Sequence, residues 1–207
     1  MKDERGKMGE IVGKVVLITG AGKGSGRLLA KVFAERGAIV AANDISPINV
    51  ENVVEEINQQ GGRAKPYIED VAKKVGVQNL INNVEDDFGR IDILINHAAV
   101  EPNTPLLNMD EWDWHRVLDV NLTGAFLMTQ SAGRVMKEKG GGVIINLITG
   151  STRDEKFEAA FVASMNGLDG FTRQAARELN QYGIRVHVVE NKGGKTADEV
   201  LALLEER

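Results

Sequence analysis

Short apolar runs alternate along the whole chain with longer segments whose apolar residues recur at helical spacing, and this alternation leaves few folds open. Val15 to Thr19 is the first run, and it stops at a glycine-rich turn. A helix follows, with Leu28, Leu29, Val32 and Phe33 on one stripe and Gly37 just beyond its end. Ile39 to Ala42 reads as the second strand. Ser46-Pro47 opens the next helix, with Ser46 as N-cap and Pro47 at the first helical position. The third strand, Ala64 to Ile68, contains Pro66, which cannot donate to a ladder and so predicts an edge. A helix carrying Val77, Leu80, Ile81, Val84 and Phe88 leads to a strand over Ile91 to Ile95. Asp110 is placed to cap a helix running through Trp112, Val117 and Leu118 towards Met136. A strand over Val143 to Ile148, a helix from about Phe157 to Asn180 and a strand over Ile184 to Val189 complete the series. Thr196 and Glu199 have the spacing of a capping box ahead of a short Leu-rich terminal helix. About six strands alternating with helices predict an α/β protein with a parallel sheet covered on both faces. With right-handed crossovers the sheet is doubly wound and Rossmann-type. All of 1–207 reads as one domain, with 1–12 a flexible N-terminal extension.

Composition is consistent with this. The chain has 207 residues, 43% hydrophobic and 27% charged, enough for one sizeable core. A net charge of −5, with basic residues scattered among acidic ones, argues against a nucleic-acid surface. The absence of Cys removes disulfides, thiolate nucleophiles and Cys-based metal sites. No apolar run approaches the roughly 20 residues of a membrane span, and the charged first ten residues lack the apolar core of a signal peptide. The expected compartment is the cytoplasm. His97, His115 and His187 share no ligand spacing, so no metal is expected, and they read as surface or packing residues. Trp112 and Trp114 are likewise expected to pack.

The chemistry concentrates at Thr19-Gly20-Ala21-Gly22-Lys23-Gly24-Ser25-Gly26, between the first strand and the first helix. Glycines here permit the tight turn, close backbone approach to a pyrophosphate and close packing of helix on sheet. The helix N-terminus adds free N–H groups and a partial positive charge. Gly20, Lys23, Gly24, Ser25 and Gly26 are therefore candidate cofactor contacts. Asp44 lies at the end of the second strand, 18 residues beyond Gly26, where a carboxylate accepts from the adenosine ribose hydroxyls and repels a 2′-phosphate. The bland alternative is a turn residue before Ser46-Pro47. With Ile45 beside it, Asp44 favours NAD over NADP, although Lys23 pulls the other way.

These residues, with several further motifs, resemble the short-chain dehydrogenase/reductase family, its 3-oxoacyl-carrier-protein reductase-like members in particular. The glycine turn is similar to the family's Thr-Gly-x-x-x-Gly-x-Gly. Asp70-Val71 resembles its adenine-contacting pair, and Asn96-His97-Ala98-Ala99 its Asn-Asn-Ala-Gly segment, agreeing at Asn96 and Ala98. Asn121-Leu122-Thr123-Gly124, Ala159 to Thr172, Arg177-Glu178-Leu179 and Gly183-Ile184-Arg185-Val186 continue the likeness, which covers roughly Gly13 to Val189. The resemblance implies hydride transfer between a nicotinamide and a small-molecule carbonyl or alcohol. It also implies a tetrad of Asn, Ser, Tyr and Lys, whose positions here are Asn121, Thr149, Phe161 and Met165. Thr149 keeps a hydroxyl, while Phe161 has no proton to give and Met165 has no charge. No neighbour in the sequence is an obvious substitute, with His97, Tyr182 and Lys156 as stray candidates.

Two readings follow. The first is an NAD(H)-binding relative with impaired or absent hydride transfer. The second is an active NAD(P)-dependent oxidoreductase of the 3-oxoacyl reductase or hydroxy-dehydrogenase type with a non-standard proton donor. The likeness also implies a homodimer through the helices over Trp112 to Met136 and Phe157 to Asn180, with a tetramer as the alternative. After Val189 the family's Pro-Gly is replaced by Glu190-Asn191-Lys192-Gly193-Gly194. Thr196 sits where the family often has a Thr touching the nicotinamide amide, with helix capping as the rival role.

Overall fold

In the computed structural model, residues 11–149 and 159–205 are described. Six parallel strands form one sheet in the order β3-β2-β1-β4-β5-β6: β1 (Val15–Thr19), β2 (Ile39–Asp44), β3 (Arg63–Ile68), β4 (Ile93–Asn96), β5 (Gly142–Ile148) and β6 (Ile184–Glu190). The helices are α1 (Gly24–Glu35), α2 (Pro47–Gln59), α3 (Lys74–Phe88), α4 (Glu111–Leu118), α5 (Ala125–Glu138), α6 (Ala159–Leu179) and α7 (Thr196–Glu205). The order reverses between β1 and β4, so crossovers leave in opposite directions and a crevice opens at the carboxyl ends there.

The pleat sorts the apolar runs onto two faces. Val16, Ile18, Val40, Ala42, Ile93, Ile95 and Ile145 pack with Leu29 and Phe33 of α1, Val50, Val53 and Ile57 of α2, and Ala197 and Val200 of α7. Val15, Leu17, Ala41, Leu94 and Ile144 pack on the other face with Leu80 and Val84 of α3, Met128 and Met136 of α5, and Ala175 of α6. Because both faces are buried, the strands read as continuous apolar runs rather than alternating ones.

Several local expectations change. Pro66 sits on β3, which is indeed an edge strand. Ile11 belongs to the core rather than to a flexible extension, and residues 1–10 lie outside the described residues. Leu28 is displaced from the buried stripe of α1, whose inner positions are Gly26, Leu29, Ala30, Phe33 and Ala34. β2 runs on to Asp44, and β4 starts two residues later than expected. At that start the Asp92 carboxylate takes the Val15 N–H at 2.9 Å while Asp92 N donates to Val15 O at 3.0 Å. A side chain thus replaces a ladder bond. Asp110 caps α4 through Asp113 N at 2.7 Å. Thr196 and Glu199 form no capping box: Thr196 is already helical, its hydroxyl accepts from Lys192 N at 2.8 Å, and Glu199 pairs with Lys192 Nζ at 3.1 Å. α4 and α5 are joined by a π-type segment, Asp119–Gly124, so the expected long helix is widened in its middle.

Beneath the carboxyl ends, buried amides link the layers. Asn96 Nδ2 donates to Asn146 Oδ1 at 2.8 Å, and Asn146 Nδ2 to Thr172 Oγ1 at 2.8 Å. Asn146 is fully buried, so Asn146→Ala removes both bonds at once, leaving Asn96 Nδ2 its long 3.3 Å bond to Thr129 Oγ1 and the Thr172 hydroxyl its own donation to Leu168 O at 2.6 Å. A loss of about 2–3 kcal/mol in a denaturant melt is expected, and a loss below about 0.5 kcal/mol contradicts the network's role.

Candidate functional site

The glycine turn is shaped by what its glycines lack. A Cβ on Gly26 would collide with the Gly20 carbonyl and with the His97 ring at 2.6 Å, so α1 starts directly against the end of β1. Gly24 has φ +55°, and nothing lies within 4 Å of where its side chain would be. Open space therefore faces the first turn of α1, whose backbone N–H groups have no intrahelical partners. This is a cradle that fits an anionic group, and a dinucleotide's pyrophosphate in particular.

From this turn a cleft of about 830 Å³ runs along the carboxyl edge of the sheet. Of the expected cofactor contacts, Gly20, Lys23, Gly24, Ser25, Asp44, Ile45, Asp70, Val71 and Ala98 line it. Gly26 lies just beneath, as a packing residue. Asn96 does not reach the cleft: it is 5% exposed and ties β4 to β5, as described above, with a weaker 3.3 Å bond to Thr129 Oγ1. Its place under the floor corrects the expectation of direct contact.

Asp44 is fixed at the head of β2. Oδ2 accepts from Gly22 N at 2.9 Å and Oδ1 from Ser46 N at 3.0 Å. Two backbone donors hold the carboxylate in one orientation and leave each oxygen a second lone pair. Asp70 is ordered likewise, its Oδ1 accepting from Ala72 N at 2.9 Å. Thr19, buried at the end of β1, accepts from His97 N at 3.1 Å and Ala98 N at 3.2 Å. It thereby sets the path of the loop after β4.

The four tetrad positions are only partly assembled. Thr149 is exposed at the end of β5, and its N lies 3.5 Å from Met165 Sδ; both residues line the cleft. Phe161 lies one turn before Met165 on α6, and both side chains are buried. Asn121, in the π-type segment, is 2% exposed. Its Nδ2 donates to Val100 O at 3.0 Å and Ser164 Oγ at 3.1 Å, and its Oδ1 accepts from Val100 N at 2.8 Å. Both amide hydrogens are therefore committed to holding the loop after β4 against α6.

Of the stray groups, Tyr182 does not reach the set. Tyr182 lies just before β6, at the amino end of the strands, with Lys137 Nζ 4.3 Å from its ring centre. Lys156 lies outside the described residues. His97 is not an ordinary surface or packing residue: it lines the cleft, with Nδ1 3.1 Å from Gly20 O. That carbonyl only accepts, so Nδ1 carries the proton and Nε2 is the basic nitrogen. The sequence also missed Trp112 and Arg116. Trp112 is 65% exposed instead of packed, and both line the cleft with the Arg116 guanidinium 5.3 Å from the ring centre. Helical spacing of four was the available signal. Among the described residues no three His, Asp or Glu side chains gather as metal ligands, and no helix is long and apolar enough to cross a membrane.

The sequence pattern of the short chain dehydrogenase family matches residues 14–199. An uncharacterized oxidoreductase of Thermotoga maritima is 41% identical over 182 residues, which is 86% of this chain and 70% of the relative. The 3-oxoacyl-acyl-carrier-protein reductase of the same organism is 36% identical over 179 residues, 86% of this chain and 72% of that one. A metagenomic short-chain oxidoreductase solved in complex with NADP superposes with a TM-score of 0.89 at 28% identity, covering 96% of this chain and 93% of its own. The chain belongs to the short-chain dehydrogenase family, a class of Rossmann-type oxidoreductases.

Burial holds the His97 imidazole below its usual value near 6.5, outweighing the hydrogen bonds to Gly20 and Thr19 that raise it. The unfolded chain thus binds this proton more readily than the folded one, and stability rises with pH. The contribution is complete above about 6.5 and fades as pH falls through the lower folded value. In His97→Gln, melting temperature should fall less steeply between about pH 6.5 and 5 than in the wild type. Parallel profiles contradict the assignment.

Proposed function

We propose that this protein binds NAD(H) in the cleft and has impaired or absent hydride transfer. The observation that carries the reading is the pair Phe161 and Met165, buried on one stripe of α6 where the resemblance assigns a phenol and an ammonium. Beside them the nucleotide-shaped end of the cleft keeps its glycine turn and Asp44.

The bound dinucleotide supplies a hydride donor or acceptor at its nicotinamide ring. The first turn of α1 holds the pyrophosphate by backbone N–H groups and the helix dipole. Asp44, aimed by Gly22 N and Ser46 N, accepts from the adenosine ribose hydroxyls; a 2′-phosphate there meets a carboxylate, which favours NAD over NADP. Thr149 presents the hydroxyl able to hold a substrate carbonyl or alcohol oxygen at the far end. The phenyl ring of Phe161 neither donates nor takes up a proton, and loss of a positioned general acid lowers rates by about 10² to 10⁴. The missing Lys overlaps with that loss, because the two groups act as a unit.

Calorimetry with NADH should show binding, while NADH oxidation with a panel of ketones stays near background. The double variant Phe161→Tyr, Met165→Lys should raise turnover by about 10²-fold or more. Efficient turnover by the unmodified protein, or no NADH binding at all, overturns the reading.

The proposal extends to a homodimer, with the cytoplasm as its compartment. Phe126 of α5 is 39% exposed and meets Phe171 of α6 edge-on at 6.0 Å, which gives the paired helices a shared apolar face. Light scattering should report twice the chain mass, and Phe126→Asp should shift it towards one chain. A monomeric wild type refutes the dimer.

A further inference from the structure

One polar side chain in the cleft is gripped from two distant parts of the chain and still keeps donors that meet no partner among the described residues. Asn191 follows the end of β6 and continues the ladder by one bond, its N donating to Ile148 O at 2.7 Å. The side chain then reaches α1. Ser25 Oγ donates to Asn191 Oδ1 at 2.8 Å, joining residues 166 apart in sequence. Thr196 Oγ1 at 3.1 Å and Gly193 N at 3.2 Å converge on the same oxygen.

The Gly193 N–H can only donate, so the oxygen of the amide, and not its nitrogen, faces this cluster. Thr196 is fully buried and is held in turn by Lys192 N at 2.8 Å. The amide is thus fixed from behind. Its Nδ2 meets no partner among the described residues, while Asn191 and Ser25 both line the cleft. Two N–H donors therefore stand beside the first turn of α1, the same turn whose backbone N–H groups form the anion cradle.

We infer that Asn191 Nδ2 donates to the pyrophosphate of the bound dinucleotide, with Ser25 and Thr196 acting as positioning residues for the amide. The segment after β6 then forms a second wall of the phosphate site, facing α1. A dinucleotide lies across the crevice with its adenosine towards Asp44 on β2. This places Asn191, beyond β5, on the nicotinamide side of the pyrophosphate. The inference rests on the dinucleotide reading above. The competing account is that the cluster only staples the β6–α7 connection to α1.

Asn191→Asp separates the two. It keeps the size of the side chain and an acceptor oxygen for all three donors, but replaces the donating NH₂ with a carboxylate oxygen. Thermal stability should stay near that of the wild type, while NADH affinity falls by about 10-fold or more through a lost charge-assisted bond and a like charge. Adenosine, which has no phosphate, should bind within about 2-fold of its wild-type affinity. Ser25→Ala, which only frees the amide, should weaken NADH by about 3-fold and leave adenosine unchanged. NADH binding unaltered in Asn191→Asp, or NADH and adenosine weakened equally, overturns this inference alone. A wild type that binds neither ligand overturns the dinucleotide reading and this inference with it.

Discussion

The contact between the first turn of α1 and the Gly20 carbonyl is the constraint on which the site depends, because any Cβ at Gly26 would overlap that oxygen. The close approach aims the free N–H groups of the helix over the end of β1. It also brings Gly22 N within reach of the Asp44 carboxylate and the His97 ring against the turn. A shift of α1 by the width of a methyl group would part its first turn from the Asp44 carboxylate, so one packing distance sets two features of the cleft at once. The apolar stripe through Leu29, Ala30 and Phe33 holds α1 at that distance by burying it against β1 and β2.

A layer of buried amides and hydroxyls does the same for the other half of the cleft. Asn96, Asn146 and Thr172 connect β4, β5 and α6, and Asn121 with Ser164 anchors α6 to the loop after β4. Ser164 Oγ further donates to Phe161 O at 2.7 Å. The helix bearing positions 161 and 165 is therefore held by residues other than those two. An apolar pair at these positions is therefore compatible with an intact helix and sheet. Phe161 and Met165 are themselves buried apolar groups in an interior that favours them.

Much of the arrangement was legible in the residues. Val15 to Thr19 had to be a strand buried on both faces, since five consecutive apolar or small residues ending at a glycine turn leave little alternative, and Pro66 marked β3 as an edge. The glycine turn and Asp44 were legible because backbone geometry and charge at fixed offsets carry their own chemistry. Asn96 was misread as a cofactor contact because its neighbour Ala98 does face the cleft, while the pleat turns Asn96 into the floor. Trp112 was expected to pack, yet α4 turns it outward beside Arg116. The capping box at Thr196 failed because Asn191 and Lys192, brought back by the turn at Gly193, took the hydroxyl first.

The α/β alternation, the glycine-rich turn after β1, the acid at the end of β2 and a Phe at 161 can all be read from the residues alone. Each of these is written in local periodicity or in the chemistry of a single side chain. Three-dimensional packing alone makes Ser25 meet Asn191, sets His97 under the glycine turn and commits Asn121 to Val100 and Ser164. Those pairings join residues far apart in the chain, and their partners are chosen by the order of strands in the sheet, which brings β1 between β2 and β4 and carries the end of β6 back to α1. No local pattern records a hydrogen bond whose two ends meet only after the sheet has formed.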